Sequence, residues 1–254
     1  MIGIFDSGVG GLSVFREICR ILPDERYIYY SDNAFCPYGE KTREFIIDRA
    51  RAITGQLISE GADIIVVACN TATAAAIKVL RDEFPVRFIG MEPAVKPAVQ
   101  QTKTGVVGVL ATAGTLKAEK YIDTREKWAQ NVKIAEHIGQ GFVELVEKGI
   151  TSGPKAETVV RASLKPLLDE GADMIVLGCT HYPFLSDVIA SIAGKEVPDR
   201  MVKVIDPAPA VARHLEEVMK ENGIIRKDGF SMILHSSGES STLTDFYNRI
   251  ACVR

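Results

Sequence analysis

Residues 61–71 read Gly61-Ala62-Asp63-Ile64-Ile65-Val66-Val67-Ala68-Cys69-Asn70-Thr71. Residues 171–181 repeat the pattern as Gly171-Ala172-Asp173-Met174-Ile175-Val176-Leu177-Gly178-Cys179-Thr180-His181. In each copy a Gly-Ala-Asp turn launches an apolar run that stops at a small residue, a cysteine and a polar segment. Such a run reads as a strand buried on both faces of a parallel sheet. Each cysteine then falls at the C-terminal edge of its strand, where open α/β sheets place their ligands. Two copies in one chain predict two similar sheets, each presenting one thiol at its rim.

Outward from this pair, strand-like and helix-like segments alternate. Ile2–Phe5 is a short apolar run ending at Asp6-Ser7-Gly8-Val9-Gly10-Gly11, with helical spacing from Leu12 to Leu22. A glycine-rich turn at a helix N-terminus is a natural anion site. This one matches neither the dinucleotide G-x-G-x-x-G pattern nor a Walker A sequence. Asp6, at a strand's end, is a candidate acid/base or orienting group, or equally a helix N-cap. Arg26–Ser31 is a second strand, followed by the loop Asp32 to Lys41, in which Pro37-Tyr38-Gly39 is a candidate binding segment donating main-chain N–H groups and a phenol. A long helix over about 42–60 then leads to the first cysteine strand.

Two prolines in Met91-Glu92-Pro93-Ala94-Val95-Lys96-Pro97 mark a candidate domain crossover. Gly105–Leu110 restarts the strand pattern, and Thr112 and Thr115 follow it as candidate ligand contacts or helix caps. Further strands are expected at 133–137, 203–207 and 231–235, with helices at about 141–148, 155–170, 208–222 and 240–250. The expected architecture is doubly wound α/β in two pseudo-symmetric parallel-sheet lobes with the active site in the cleft between them. Lobe A takes residues 1–97 and 208–254, and lobe B takes residues 98–207.

A hydrophobic share of 46% against 25% charged residues is the balance of a soluble globular chain rather than a disordered one. The formal charge of −3 argues against nucleic acid as a partner, because there is no basic excess to displace counterions. No apolar run approaches the roughly 18 residues of a membrane span. The start of the chain has no basic segment followed by an apolar one, so a cytoplasmic protein is expected. The cysteines number five, at wide spacings, unlike a disulfide framework. Cys19 and Cys252 read as small core residues, whereas the role of Cys36, in the loop beside Pro37, stays open.

Cys69 and Cys179 differ from these through their repeat and their polar flanks. A thiol with a pKa near 8.5 is partly ionised at neutral pH and gains from neighbouring donors. A lone thiol would suggest a nucleophile with His181 as its base, but that leaves the second cysteine unexplained. Metal binding by Cys69, Cys179 and His181 is a weak signal without a C-x-x-C pair. Inversion at a carbon acid uses both thiols: one removes the α-proton while the other returns a proton from the opposite face.

The chain resembles the glutamate racemases of the aspartate/glutamate racemase superfamily. The resemblance runs from Phe5-Asp6-Ser7-Gly8 to about Asp206-Pro207. It is carried by Asp6-Ser7-Gly8-Val9-Gly10-Gly11, Pro37-Tyr38-Gly39, Ala68-Cys69-Asn70-Thr71-Ala72 and Gly178-Cys179-Thr180-His181-Tyr182-Pro183. It implies that Cys69 and Cys179 are the acid/base pair, assisted by Asp6, by His181 and by an acidic residue, Glu147 in preference to Glu144. It places substrate binding on Asp6, Ser7, Tyr38, Gly39, Asn70, Thr71, Thr180 and His181. No pyridoxal phosphate and no metal is implied. The expected product is D-glutamate for peptidoglycan, and a homodimer is expected. Many members carry an arginine shortly before Pro-Tyr-Gly where this chain has Phe35 and Cys36. The competing readings are racemisation of another acidic amino acid or a hydantoin, and a non-catalytic small-ligand binding module.

Overall fold

The computed structural model describes residues 1–227 and 229–251; Cys252, expected to be a core residue, lies outside them. The chain divides into two compact units, Met1–Glu92 with Ala208–Arg254, and Pro93–Pro207.

The first unit opens with β1 (Ile2–Asp6), α1 (Leu12–Ile21), β2 (Arg26–Ser31), α2 (Arg43–Ser59), β3 (Ile64–Val67), α3 (Asn70–Glu83) and β4 (Arg87–Gly90). The second holds α4 (Val95–Gln101), β5 (Val106–Ala111), α5 (Ala113–Leu116), α6 (Glu119–Trp128), β6 (Lys133–Ile138) and α7 (Phe142–Glu147). It continues with α8 (Gly153–Asp169), β7 (Met174–Gly178), α9 (Ser186–Glu196) and β8 (Lys203–Ile205). The chain then returns to the first unit with α10 (Ala208–Glu221), β9 (Ser231–Ser236) and α11 (Ser241–Ala251).

Both sheets are wholly parallel, in the orders β4-β3-β1-β2-β9 and β6-β5-β7-β8. The two-lobed, doubly wound α/β class expected from the sequence is the one found. β1 and β3 are fully buried because both sheet faces are covered. Phe5, Ile28, Ile65 and Val67 pack with Ile53, Leu57, Ala72 and Ala76 of α2 and α3. On the remaining side, α1 packs against α10 and α11. In the second unit, Val107, Val109 and Val176 form a core with Val95, Ala98 and Tyr121, while α8 packs on β5, β6 and α9. Each fully buried aliphatic side chain contributes roughly 1.5–3 kcal/mol, so these runs hold the sheets together without help from their rims.

The Gly-Ala-Asp turns have a structural job. Gly61 and Gly171 take φ of 95° and 99°, a left-handed conformation that suits glycine. The aspartate after each ties the entry of the neighbouring central strand. Asp63 holds the terminal ammonium of Met1 at 2.6 Å. Asp173 accepts from Thr102 Oγ1 at 2.5 Å, Lys103 N at 2.6 Å and Thr104 N at 3.2 Å. The repeat thus fixes the register of β1 against β3 and of β5 against β7, from the end opposite the cysteines.

Two differences from the expected elements have simple causes. The proline-marked crossover runs into α4, where Pro97 lies in the first turn and its missing N–H costs nothing. α6 escaped the pattern because only Tyr121 of its residues is buried. Among the described residues, no helix is long and apolar enough to cross a membrane.

Candidate active site

Strand order reverses in each unit between the first central strand and the cysteine strand: β2 lies on one side of β1 and β3 on the other, as β6 and β7 flank β5. Ligands of open α/β sheets bind beyond the strand C-termini at such a switch point. Asp6 ends β1 and Cys69 follows β3 at one switch point. At the other, Thr112 follows β5 and Cys179 follows β7. The pairing Ala111↔Gly178 makes Ala111 the counterpart of Asp6, and Thr112 that of Ser7. The two rims therefore carry the same thiol but different companions.

On the first rim, Cys69 is buried and caps α3: the Ala72 N–H donates to its sulfur at 3.4 Å. A helix N-terminus favours negative charge, so this position accommodates a thiolate as well as a thiol. The Cys69 thiol donates to Ser7 Oγ at 3.8 Å. Asp6 is fully buried and accepts from the Gly8 N–H at 3.1 Å, which shapes the glycine-rich turn; Gly11 caps α1, so Asp6 does not. The turn sits so close that a Cβ on Gly11 would lie 2.7 Å from Asp6 Cβ and 2.7 Å from Tyr29 Oη. Thr71 is buried, and Asn70 Nδ2 is buried with no hydrogen-bond partner among the described residues.

Pro37, Tyr38 and Gly39 lie in the loop between β2 and α2, after a cis Cys36–Pro37 peptide. Tyr38 is buried, and its phenol donates to Asp32 Oδ2. Burial, the hydrogen bond to Asp32 and its charge push the phenol far above its usual range, so it stays protonated. The phenol expected as a ligand donor thus has its hydrogen committed to Asp32 inside the unit. Asp32 in turn takes a two-pronged contact from Arg49, Nε at 2.9 Å and Nη2 at 2.6 Å. Neither Asp32 nor Arg49 was marked by sequence, because no local pattern links positions so far apart.

On the second rim, Cys179 Sγ lies 3.7 Å from His181 Nδ1, and His181 Nε2 lies 2.6 Å from Glu147 Oε1. With Glu147 ionised, Nε2 carries the hydrogen and donates. Nδ1 then accepts from the Cys179 thiol, or donates to its thiolate once the ring is charged. Thr180 is buried beside them. Tyr182 is fully buried, its ring edge-on to Phe142 with centroids 4.8 Å apart. Its phenol donates to Gly139 O at 3.3 Å, which locks α7 and hence Glu147 in place. Burial and the neighbouring Cys179 push this phenol upward too. Thr112 Oγ1 caps α5, accepting from Thr115 N at 3.2 Å and lying 3.0 Å from Thr115 Oγ1.

Among the described residues Cys19, Cys36, Cys69 and Cys179 are thiols rather than disulfides. Each of the two parallel α/β units thus carries a buried thiol with polar companions at its switch point, the class of site that the fold defines. Residues 2–215 match the family model described as Asp/Glu/Hydantoin racemase, and the chain belongs to that family. It is 50% identical over 226 residues to a glutamate racemase of Methylococcus capsulatus, covering 89% of this chain and 82% of that one. A glutamate racemase of Escherichia coli, solved with L-glutamate and the activator UDP-MurNAc-ala, superposes with a TM-score of 0.86 at 32% identity, covering 98% of this chain and 94% of that one. One from Francisella tularensis, solved with D-glutamate, gives 0.82 at 29% identity, covering 98% of this chain and 92% of that one.

Proposed function

We propose that the protein is an isomerase that interconverts L- and D-glutamate without a cofactor, with Cys69 and Cys179 working on opposite faces of the α-carbon. The observation that carries this reading is the duplicated placement of a buried thiol at each switch point, in a chain half identical to a glutamate racemase. A two-base inversion needs a base on one face of the carbon and an acid on the other, and two like thiols can exchange those roles between the two directions.

In one direction the thiolate of one cysteine takes the α-proton and becomes a thiol. The thiol of the other gives its proton to the opposite face and becomes a thiolate. The two sulfurs end in exchanged protonation states, which is the starting arrangement for the reverse reaction. His181, oriented by Glu147, manages the proton of Cys179; Asp6 and Ser7 serve Cys69. Main-chain groups of 37–39, with Asn70, Thr71, Thr180 and His181, hold the substrate's carboxylates and ammonium. They also stabilise the carbanionic transition state by donors fixed in advance. Thr112 and Thr115 remain candidates at the second rim. The reading extends to a homodimer in the cytoplasm that supplies D-glutamate for peptidoglycan.

Polarimetry on purified protein tests the proposal, with each enantiomer of glutamate separately and no additive. Both signals should decay to zero, and a thiol alkylator should stop the decay. The family description also covers aspartate and hydantoins. Decay with one of these and not with glutamate would keep the mechanism and overturn the substrate.

A further inference from the structure

Loop 32–40 carries the segment proposed to hold substrate, yet of residues 33–40 only Tyr38 is buried. So little apolar area cannot by itself fix a loop whose main-chain donors must be aimed. Polar ties must do so, and they divide the loop in two. Its start is tied to the turn after β9, with Asn33 Nδ2 on Glu239 O at 2.5 Å and Ala34 N on Ser237 Oγ at 3.1 Å. Phe35 and Tyr38 are tied instead to Arg49 of α2, the first directly and the second through Asp32. The guanidinium forks onto Asp32, it lies 4.4 Å beneath the ring centre of Phe35, and through Asp32 it reaches the Tyr38 phenol. Phe35 also packs edge-on to Phe45 of α2, with centroids 5.5 Å apart. Asp32 donates its own N–H to Asp6 O at 2.9 Å, tying the clamp to the end of β1.

We propose that Arg49 is a positioning residue for substrate binding: clamped between Asp32 and Phe35, it holds Tyr38 down and so aims the main-chain groups of residues 37–39. This rests on the glutamate reading above. Arginine is required by the geometry, because its planar fork meets both carboxylate oxygens while its face takes the Phe35 ring. A lysine could do one or the other. A buried ion pair is seldom worth more to stability than apolar packing, so its benefit here lies in fixing one loop geometry.

The test compares Arg49→Lys and Tyr38→Phe with Arg51→Lys, which loosens a similar fork on the exposed Glu83 from the same helix. Two quantities are read: kcat and KM for each glutamate enantiomer, and the rate at which Cys36 is alkylated by iodoacetamide, resolved by peptide mass spectrometry. Arg49→Lys should raise KM about tenfold in both directions with kcat little changed, the loss expected for about one charge-assisted hydrogen bond. It should also speed Cys36 alkylation severalfold, and Tyr38→Phe should shift both in the same direction. Arg51→Lys should match wild type. A fall in kcat with unchanged KM would overturn the proposal, as would faster Cys36 alkylation with unchanged KM. If Arg49→Lys does not fold, Tyr38→Phe decides, and wild-type values for it would overturn the proposal. Wild-type protein inert toward glutamate would overturn the glutamate reading itself, while unchanged Cys36 alkylation would still overturn the clamp.

Discussion

Glu147 Oε1 lies 2.6 Å from His181 Nε2, and this contact decides which ring nitrogen faces Cys179. A carboxylate there holds the hydrogen on Nε2 and, in the mechanism proposed above, favours the charged ring formed when Cys179 gives up its proton. Glu147→Gln keeps the shape and removes the charge. It should lower kcat by about ten- to a hundredfold, less than the full contribution of a proton-transfer group. The equilibrium constant of a racemisation is one, so kcat/KM must fall equally in both directions, which steady-state assays from each enantiomer check. Unchanged rates would remove Glu147 from the proton path.

The two sulfurs make separable predictions. Cys69→Ser and Cys179→Ser should each reduce racemisation by about 10²- to 10⁴-fold, since a hydroxyl is a far weaker acid than a thiol. The surviving thiol should still remove a proton from its own face and return one from solvent to the same face. Each variant should therefore exchange the α-proton of one enantiomer, and the two variants should exchange opposite ones, as proton NMR in heavy water would record. Substantial racemisation by both variants would sink the two-thiol scheme.

Much of the fold was legible because its strands announce themselves. Ile64–Val67 and Met174–Gly178 are apolar runs between glycine turns and polar stops, and nothing competes with a strand there. The last strand, found at Ser231–Ser236 and paired with β2, was legible from its own apolar run. α6 was not, since a mostly exposed helix carries little apolar period. At the rims, the cysteines stood out by repetition. The preference for Glu147 over Glu144 came from the resemblance and from no local pattern, since both sit on one short helix; it is Glu147 that lies against His181. The Asp32–Arg49 pair was invisible, since a single Asp and a single Arg on different elements leave no periodic trace.

Asp173 offers a prediction about stability rather than catalysis. Burial pushes its carboxyl up, but the Thr102 hydroxyl and the Lys103 and Thr104 amides outweigh burial and hold it below its ordinary range. A carboxyl depressed in the folded state stabilises fully above its unfolded value of about 3.9, and that stabilisation fades as pH falls through the folded value. Asp173→Asn should therefore cost about 1–3 kcal/mol near pH 7, from weaker acceptance of three hydrogen bonds. The gap to wild type should narrow as pH falls below about 4, in urea titrations across a pH series. A gap independent of pH would mean that the carboxylate's charge plays no part.

Asn70 separates binding from folding most sharply. Its Nδ2 is buried without a partner among the described residues, one position after Cys69. A buried donor left unpaired costs roughly 1–3 kcal/mol, a cost that a substrate carboxylate would relieve on binding. Asn70→Ala removes the donor from both states. The free protein should unfold at an unchanged or slightly higher temperature, while KM for both glutamate enantiomers rises about tenfold or more. Thermal unfolding with and without glutamate gives a second view, since ligand raises the midpoint only through its affinity for the folded state. Wild type should gain more from saturating glutamate than the variant at the same concentration. A variant that melts lower and keeps its KM would assign Asn70 to the architecture of α3 and take it out of substrate binding.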